Sequence, residues 1–277
     1  MPVQLIVSDL DGTLFRLDHS GTISEENLRA IREAQERGIP FFVCTGRPVT
    51  GTYARIFCYE ALKDVGIAGM NGACIIRGRD GVPIYNKRLA EADWRGCVEI
   101  IRKYPMRWVM SGSLFRNGVL WLDYPTENEM LEANIGRFEP GFVPPEDGAQ
   151  WDVGVNKIHC RSFGCDPALD ALRAELQEKF PHLEVRSSWN DNVEIGPNGC
   201  QKGAAIRRLG ELFHVPVENI MTLGDNENDI PMLEAAGLGV CMSNGSDGAK
   251  AASDHVMDNS DCCGVARAIR RFALGEE

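Results

Sequence analysis

The sequence predicts an α/β fold in which a doubly wound parallel sheet is interrupted by an inserted α+β domain. Three observations predict it. Residues 1–82 alternate short apolar runs with apolar residues at helical spacing. Residues 191–277 return to the same alternation. Residues 83–190 instead carry hairpin-like apolar runs, and three of the five tryptophans fall there at 108, 121 and 151. Strand–helix–strand order implies a parallel, right-handed layered sheet, whereas strands joined by Gly- and Asn-containing turns imply antiparallel pairing. A core of 1–82 plus 191–277 with an insert at 83–190 is the expected organisation.

Leu5-Ile6-Val7 reads as the first strand. Ser24 is placed as an N-cap, and Glu25 and Glu26 suit the positive end of the helix that follows. Leu28, Ile31 and Ala34 recur at helical spacing, and Gly38 fits the stop. Ile39 to Cys44 is a second strand, nearly continuous in apolar residues as a buried parallel strand is. Gly66-Ile67-Ala68 is a third short run, leading to Asn71-Gly72. In the insert, helices are predicted over Ala92–Lys103 and Asp166–Lys179, with strands at Trp108–Met110 and Val119–Leu122; Pro140-Gly141 and Pro144-Pro145 break a loop before Trp151. The final part gives a helix at Lys202–Phe213, a strand at Asn219–Leu223, a helix at Asp229–Ala236, a strand at Gly237–Cys241 and a closing helix at Val265–Phe272.

The 277 residues suffice for one large domain or two smaller ones. A composition of 44% hydrophobic and 25% charged residues is that of an ordinary globular chain. The net charge of −11 argues against a nucleic-acid or anionic-membrane partner, which asks for clustered Lys and Arg. No run approaches the ~18 apolar residues of a membrane span. Met1-Pro2-Val3-Gln4 does not begin a signal sequence, so a cytoplasmic protein is expected. The ten cysteines form no Cys-x-x-Cys pair, which speaks against a zinc knuckle.

Chemistry concentrates at predicted strand ends. Asp9-Leu10-Asp11-Gly12-Thr13 follows the first strand, and ligands of open α/β sheets bind at that carboxyl edge. One carboxylate there can bind a hard cation or attack an electrophile, and a second can carry a proton. Thr45-Gly46-Arg47 ends the second strand, Lys202 opens a helix, and Asp225 and Asp229 follow the strand ending at Leu223. Each has a plainer reading. Asp-Gly is a turn dipeptide, Thr45 and Asp229 suit N-caps, and Lys202 suits a solvated first turn, although lysine there opposes the helix dipole. No P-loop, dinucleotide fingerprint, nucleophile elbow or His-Glu-x-x-His occurs.

In order and spacing these elements resemble the four motifs of the haloacid dehalogenase superfamily of phosphatases. The insert between the second and third motifs resembles the large α/β cap of its Cof-type subgroup. The resemblance implies a Rossmann-like core and a Mg²⁺-dependent phosphatase acting on a small phosphorylated metabolite, with a sugar phosphate favoured. It implies Asp9 as nucleophile and Asp11 as general acid and base. Asp9, the Asp11 carbonyl, Asp225 and Asp229 would serve the metal, and Leu10, Thr45, Gly46, Lys202, Asn228, Asn71 and Gly72 would contact phosphate or substrate. A phosphotransferase or phosphomutase on the same core, or a non-catalytic phospho-acceptor module, are the alternatives. Trp108, Trp121, Arg116 and Arg161 are the insert side chains considered for substrate contact. The histidines share no spacing and read as structural or surface residues.

Overall fold

The computed structural model describes residues 2–17, 21–79, 81, 83–112, 120–122, 155–162, 167–187 and 191–276. Two sheets organise them. The larger has eight strands: β1 (Leu5–Ser8), β2 (Phe41–Cys44), β3 (Gly66–Gly69), β4 (Cys74–Ile76), β5 (Pro83–Asn86), β11 (Ile220–Gly224), β12 (Leu238–Met242) and β13 (His255–Met257), in the order β13-β12-β11-β1-β2-β3-β4-β5. The smaller has five: β6 (Arg107–Gly112), β7 (Leu120–Leu122), β8 (Val155–Arg161), β9 (Glu184–Arg186) and β10 (Asn192–Gly196), in the order β7-β6-β8-β10-β9 with antiparallel pairs throughout.

The large sheet is double-faced, as its nearly continuous apolar strands require. Leu5 and Val7 of β1 pack with Phe42, Ile206 and Leu209 on one side. Ile6 points the other way, into a cluster with Phe41, Val43, Ile31 and Ala266. Helix α1 (Glu25–Glu36) lies on that second side, and Ser24 Oγ accepts the Asn27 amide at 3.2 Å, so the predicted cap forms. Helices α2 (Val49–Ile56), α5 (Lys202–Phe213), α6 (Ile230–Ala235), α7 (Asp247–Ala251) and α8 (Gly264–Ala268) complete this layer structure. The closing helix is shorter than predicted, because past Ala268 it widens into a π-type turn over Ile269–Leu274.

The sheet is not parallel throughout. β3, β4 and β5 pair antiparallel at one edge. Met70 and Asn71, at φ +54° and +57°, and Gly72, at +85°, turn the chain back on itself, where no helix has room to form. The smaller sheet is one-sided. Trp108, Met110, Ile158, Cys160, Val193 and Ile195 pack against α3 (Glu91–Ile101) and α4 (Pro167–Lys179) through Val98, Ile101, Leu172 and Leu176.

The expected division of the chain falls elsewhere on the strands. Pro83–Asn86 belongs to the large sheet and Asn192–Gly196 to the small one. The chain therefore changes sheet between β5 and α3, and returns between β10 and α5. β4 and β5, and β9 and β10, pair antiparallel, so the expected boundaries fall between paired strands rather than where the chain changes sheet. Arg116, Trp151 and the 140–145 loop lie outside the described residues, as does Asp166 at the predicted start of α4.

Candidate active site

Parallel pairing of β1 with both β2 and β11 brings three strand ends together. Asp9 follows β1 directly and is 5% exposed. Its Oδ1 accepts from Lys202 Nζ at 2.6 Å, and the same ammonium reaches Asp229 Oδ1 at 2.5 Å. Lys202 is the first residue of α5 and is buried, not solvated. Burial alone would lower its pKa, but Asp229 and Asp9 push it up, so it stays cationic.

Asp229 is committed on both oxygens. Its Oδ2 accepts the backbone amides of Asp225 and Asn226 at 2.9 and 3.0 Å, closing a capping box with Asn226. The N-cap reading thus belongs to Asn226, and Asp229 braces the loop that carries Asp225. Asp225 Oδ1 accepts from Thr13 Oγ1 at 2.6 Å. Gly12, at φ +83°, is required beside it: a Cβ there would lie 2.4 Å from Asp225 Oδ2.

One oxygen from each of Asp9, Asp225 and Asp229 lies within 4.8 Å of the others. Three carboxylates against one ammonium leave negative charge uncompensated in a buried place. Burial first, then Asp229, pushes Asp9 well above the usual carboxylate range, with Lys202 opposing. Burial likewise raises Asp225 to about 6, while the Thr13 hydrogen bond opposes it. An all-oxygen, charge-deficient cluster of this kind fits a hard divalent cation. Asp9 and Asp225 are the residues placed to hold one, since Oδ2 of each accepts no hydrogen bond from the described residues.

The second strand end supplies a cradle. Thr45 is buried, and its Oγ1 accepts the Arg47 amide at 3.2 Å. Helix α2 starts after Pro48, so Thr45 is not its N-cap. The loop after β3 is tied to it: Asn71 N donates to Thr45 O and Met70 N to Arg47 O, each at 2.9 Å. Those bonds hold the left-handed pair Met70–Asn71 and aim Asn71 at the site, with its Oδ1 3.3 Å from a Cβ built on Gly46. Gly72 leaves room for Ala205 of α5, whose Cβ would be 2.5 Å from an added one. The Leu10 side chain is fully buried in the core, which leaves its backbone for any contact with substrate. Asn228 lies in the Glu227–Asp229 turn, and its side-chain oxygen is buried with no partner among the described residues.

Three residues escaped sequence reasoning. Arg47 grips Asp11 with a bidentate fork, Nε to Oδ2 at 2.6 Å and a terminal nitrogen to Oδ1 at 2.8 Å. Its position directly after Thr45-Gly46 was the available signal. Lys157 and Glu194 reach in from the small sheet: Lys157 Nζ donates to Gly46 O at 2.7 Å, and Glu194 Oε2 accepts from Asn71 Nδ2 at 3.2 Å. Charged residues inside the apolar alternation of β8 and β10 were their signal. The insert residues considered instead do other things. Trp108 packs under the helices, and Arg161 pairs with Asp191 in a largely exposed contact. Trp121 sits in β7, and its side chain is not among the described ones.

A profile described as haloacid dehalogenase-like hydrolase matches residues 6–269. The chain belongs to this family. The fold agrees: a haloacid dehalogenase-like hydrolase from Bacteroides thetaiotaomicron superposes with a TM-score of 0.81 at 25% identity, covering 97% of this chain and 99% of that one. TM0651 from Thermotoga maritima gives 0.79 at 27% identity, with 97% of each chain covered. Among characterised relatives, the 5-amino-6-(5-phospho-D-ribitylamino)uracil phosphatase YcsE of Bacillus subtilis is 30% identical, over 98% of this chain and 96% of its own. The pyridoxal phosphate phosphatase YbhA of Escherichia coli is 27% identical over 97% and 98%. These haloacid dehalogenase relatives are named phosphatases, in agreement with an enzyme of the phosphoric monoester hydrolase class. No helix among the described residues is long and apolar enough to cross a membrane.

Proposed function

We propose that the protein is a Mg²⁺-dependent phosphatase that hydrolyses a small phosphorylated metabolite, a sugar phosphate favoured, through an aspartyl phosphate on Asp9. The observation that carries the reading is the buried Asp9 carboxylate at the end of β1, braced by Lys202 and clustered with Asp225 and Asp229. The named substrates of the two relatives, both small phosphorylated molecules, support the size class.

A bound Mg²⁺, held by Asp9 and Asp225 with the Asp11 carbonyl, would neutralise charge on the phosphoryl oxygens. Asp9 attacks phosphorus, the bond to the leaving oxygen breaks, and Asp11 gives that oxygen its proton. Asp11 then takes a proton from water, the water oxygen attacks phosphorus, and the bond to Asp9 breaks to release phosphate. Thr45, the Gly46 amide, Lys202 and the Asn228 Nδ2 group hold the phosphoryl oxygens, while Asn71-Gly72 faces the substrate side. Arg47 orients Asp11 through its fork. The 83–190 insert, with the strand shifts described above, serves as a cap that excludes bulk water and selects the leaving group. Free thiols among the described residues suit a reducing, cytoplasmic setting.

Phosphate release from a panel of sugar phosphates, nucleotides, phosphorylated cofactors and an aryl phosphate tests this, with Mg²⁺ and with chelator. Chelator-sensitive release is expected. No release from any of them by folded, Mg²⁺-supplied protein would replace the reading with phosphotransfer or a regulatory phospho-acceptor.

A further inference from the structure

We propose that Asn244 is a positioning residue: it fixes the Gly12 peptide against Asp225, and with it the spacing of the oxygens that take a divalent cation. The proposal rests on the cation site put forward for Asp9, Asp225 and the Asp11 carbonyl, and deepens it.

The large sheet offers one more strand end at the same edge. β12 runs parallel to β11, with Cys241 beside Gly224, so the chain leaving Met242 emerges next to Asp225. Residues 244–246 then bond to both sides of the cation site. Asn244 Nδ2 donates to Gly12 O at 2.8 Å, across 232 residues of chain, and Ser246 N donates to Asp225 O at 2.8 Å. Gly245 permits this approach, because a Cβ there would lie 2.7 Å from Asp225 O and 2.6 Å from Cys241 Sγ.

A second bond sets the orientation of the Asn244 amide. Its Oδ1 accepts the Ser260 amide at 3.2 Å. A backbone N–H can be met only by an acceptor, so the NH₂ group of Asn244 is the one that faces Gly12 O. That carbonyl belongs to the peptide between Gly12 and Thr13, the next along from the Asp11 carbonyl. Thr13 Oγ1 in turn donates to Asp225 Oδ1 at 2.6 Å. The bonds close a ring: Asn244 to Gly12, Thr13 to Asp225, and Asp225 O back to Ser246. The ring opposes a definite force. Asp9, Asp225 and Asp229 bring carboxylate oxygens within 4.8 Å of one another, and repulsion among them drives the loops apart. Mg²⁺ demands near-octahedral oxygens at about 2.0–2.1 Å, so a loop that shifts holds it less well.

A plainer reading is that Asn244 only fastens the loop after β12. A matched tie separates the two readings. Asp261, from the same turn as Ser260, accepts the Leu17 amide at 3.0 Å, and so fastens the chain at Leu17 rather than at the Gly12 turn itself.

The test is isothermal titration calorimetry with Mg²⁺, without substrate, on wild type, Asn244→Ala and Asp261→Ala, each shown to be folded by circular dichroism. Asn244→Ser, too short to span to Gly12 O, replaces Asn244→Ala if that variant does not fold. The Mg²⁺ dissociation constant should rise by about tenfold or more in the Asn244 variant, the loss typical when a group supporting a metal site is removed. In Asp261→Ala it should stay that of wild type. Wild-type affinity in the Asn244 variant overturns the proposal, and so does an equal loss in Asp261→Ala. A wild type that binds no Mg²⁺ overturns the cation site and this proposal together. A wild type that binds Mg²⁺ with the expected dependence on Asn244, yet releases no phosphate, overturns the phosphatase reading alone.

Discussion

Lys202 Nζ lies 2.6 Å from Asp9 Oδ1 across 193 residues of chain, in a pocket where both side chains are almost fully buried. The same ammonium also serves Asp229. One cation therefore compensates two carboxylates contributed by strand ends on either side of the insert.

Lys202→Met should unfold more easily than wild type, because it strands two like charges in the interior. Breaking a buried pair in this way typically costs about 3–5 kcal/mol. Denaturant midpoints would show it, and adding Asp229→Asn should recover part of the loss. Unchanged midpoints in the single variant would contradict this account of the ion pair.

Asp9→Asn removes the oxygen proposed to attack phosphorus but preserves shape. Phosphate release should fall by about a thousandfold or more while the circular dichroism spectrum stays that of wild type, since loss of a nucleophile is among the costliest single changes in an active site. Comparable turnover in this variant would remove Asp9 from the role.

Arg47→Lys keeps the charge and loses the fork that grips both Asp11 oxygens. Lysine cannot reproduce two parallel N–H bonds. With the proposed proton carrier Asp11 less well aimed, kcat should drop by about tenfold while KM moves less, which steady-state kinetics separates.

Gly12→Ala places a methyl group where Asp225 Oδ2 already lies, at a left-handed backbone position that alanine resists. Backbone strain alone amounts to about 1–3 kcal/mol. The more specific effect is displacement of Asp225: the rise in Tm that Mg²⁺ is expected to give wild type should shrink or vanish in the variant.

His159 makes stability depend on pH. Its folded pKa, about 4, lies below the ordinary value of 6.5. Between those values the unfolded chain binds more protons, so stability rises with pH through the window and is lost as pH falls from 6.5 toward 4. The span is worth up to about 3 kcal/mol. His159→Gln should flatten this part of the pH–stability curve; an identical slope would mean that another group is responsible.

Where a residue's neighbours are close in sequence, the sequence was readable. Ser24 capping α1 and Lys202 opening α5 follow from local pattern, as do the apolar faces of β1 and β2. The antiparallel edge was not readable, because it depends on Met70 and Asn71 adopting left-handed conformations held by bonds to the distant Thr45–Arg47 loop. The acidic residues at strand ends could be picked out, but the division of labour between them could not. That Asp229 also braces the loop carrying Asp225 emerges only from its bonds to Asp225 N, Asn226 N and Lys202. Lys157 and Glu194 were hidden for the same reason. Nothing near them in the chain indicates that their strand faces stand over Gly46.

The placement of β1 has a consequence for synthesis of the chain. Its hydrogen-bonding neighbours are β2, which ends at Cys44, and β11, which begins at Ile220. A ribosome adding 5–20 residues per second needs roughly 9–35 s to make residues 45–219. Throughout that interval one edge of the buried strand Leu5–Ser8 has no partner, and open apolar edges of this kind pair readily with other chains. The same delay leaves the Asp9 carboxylate without its lysine until Lys202 has emerged, so the nascent chain carries the carboxylate long before it carries the pocket.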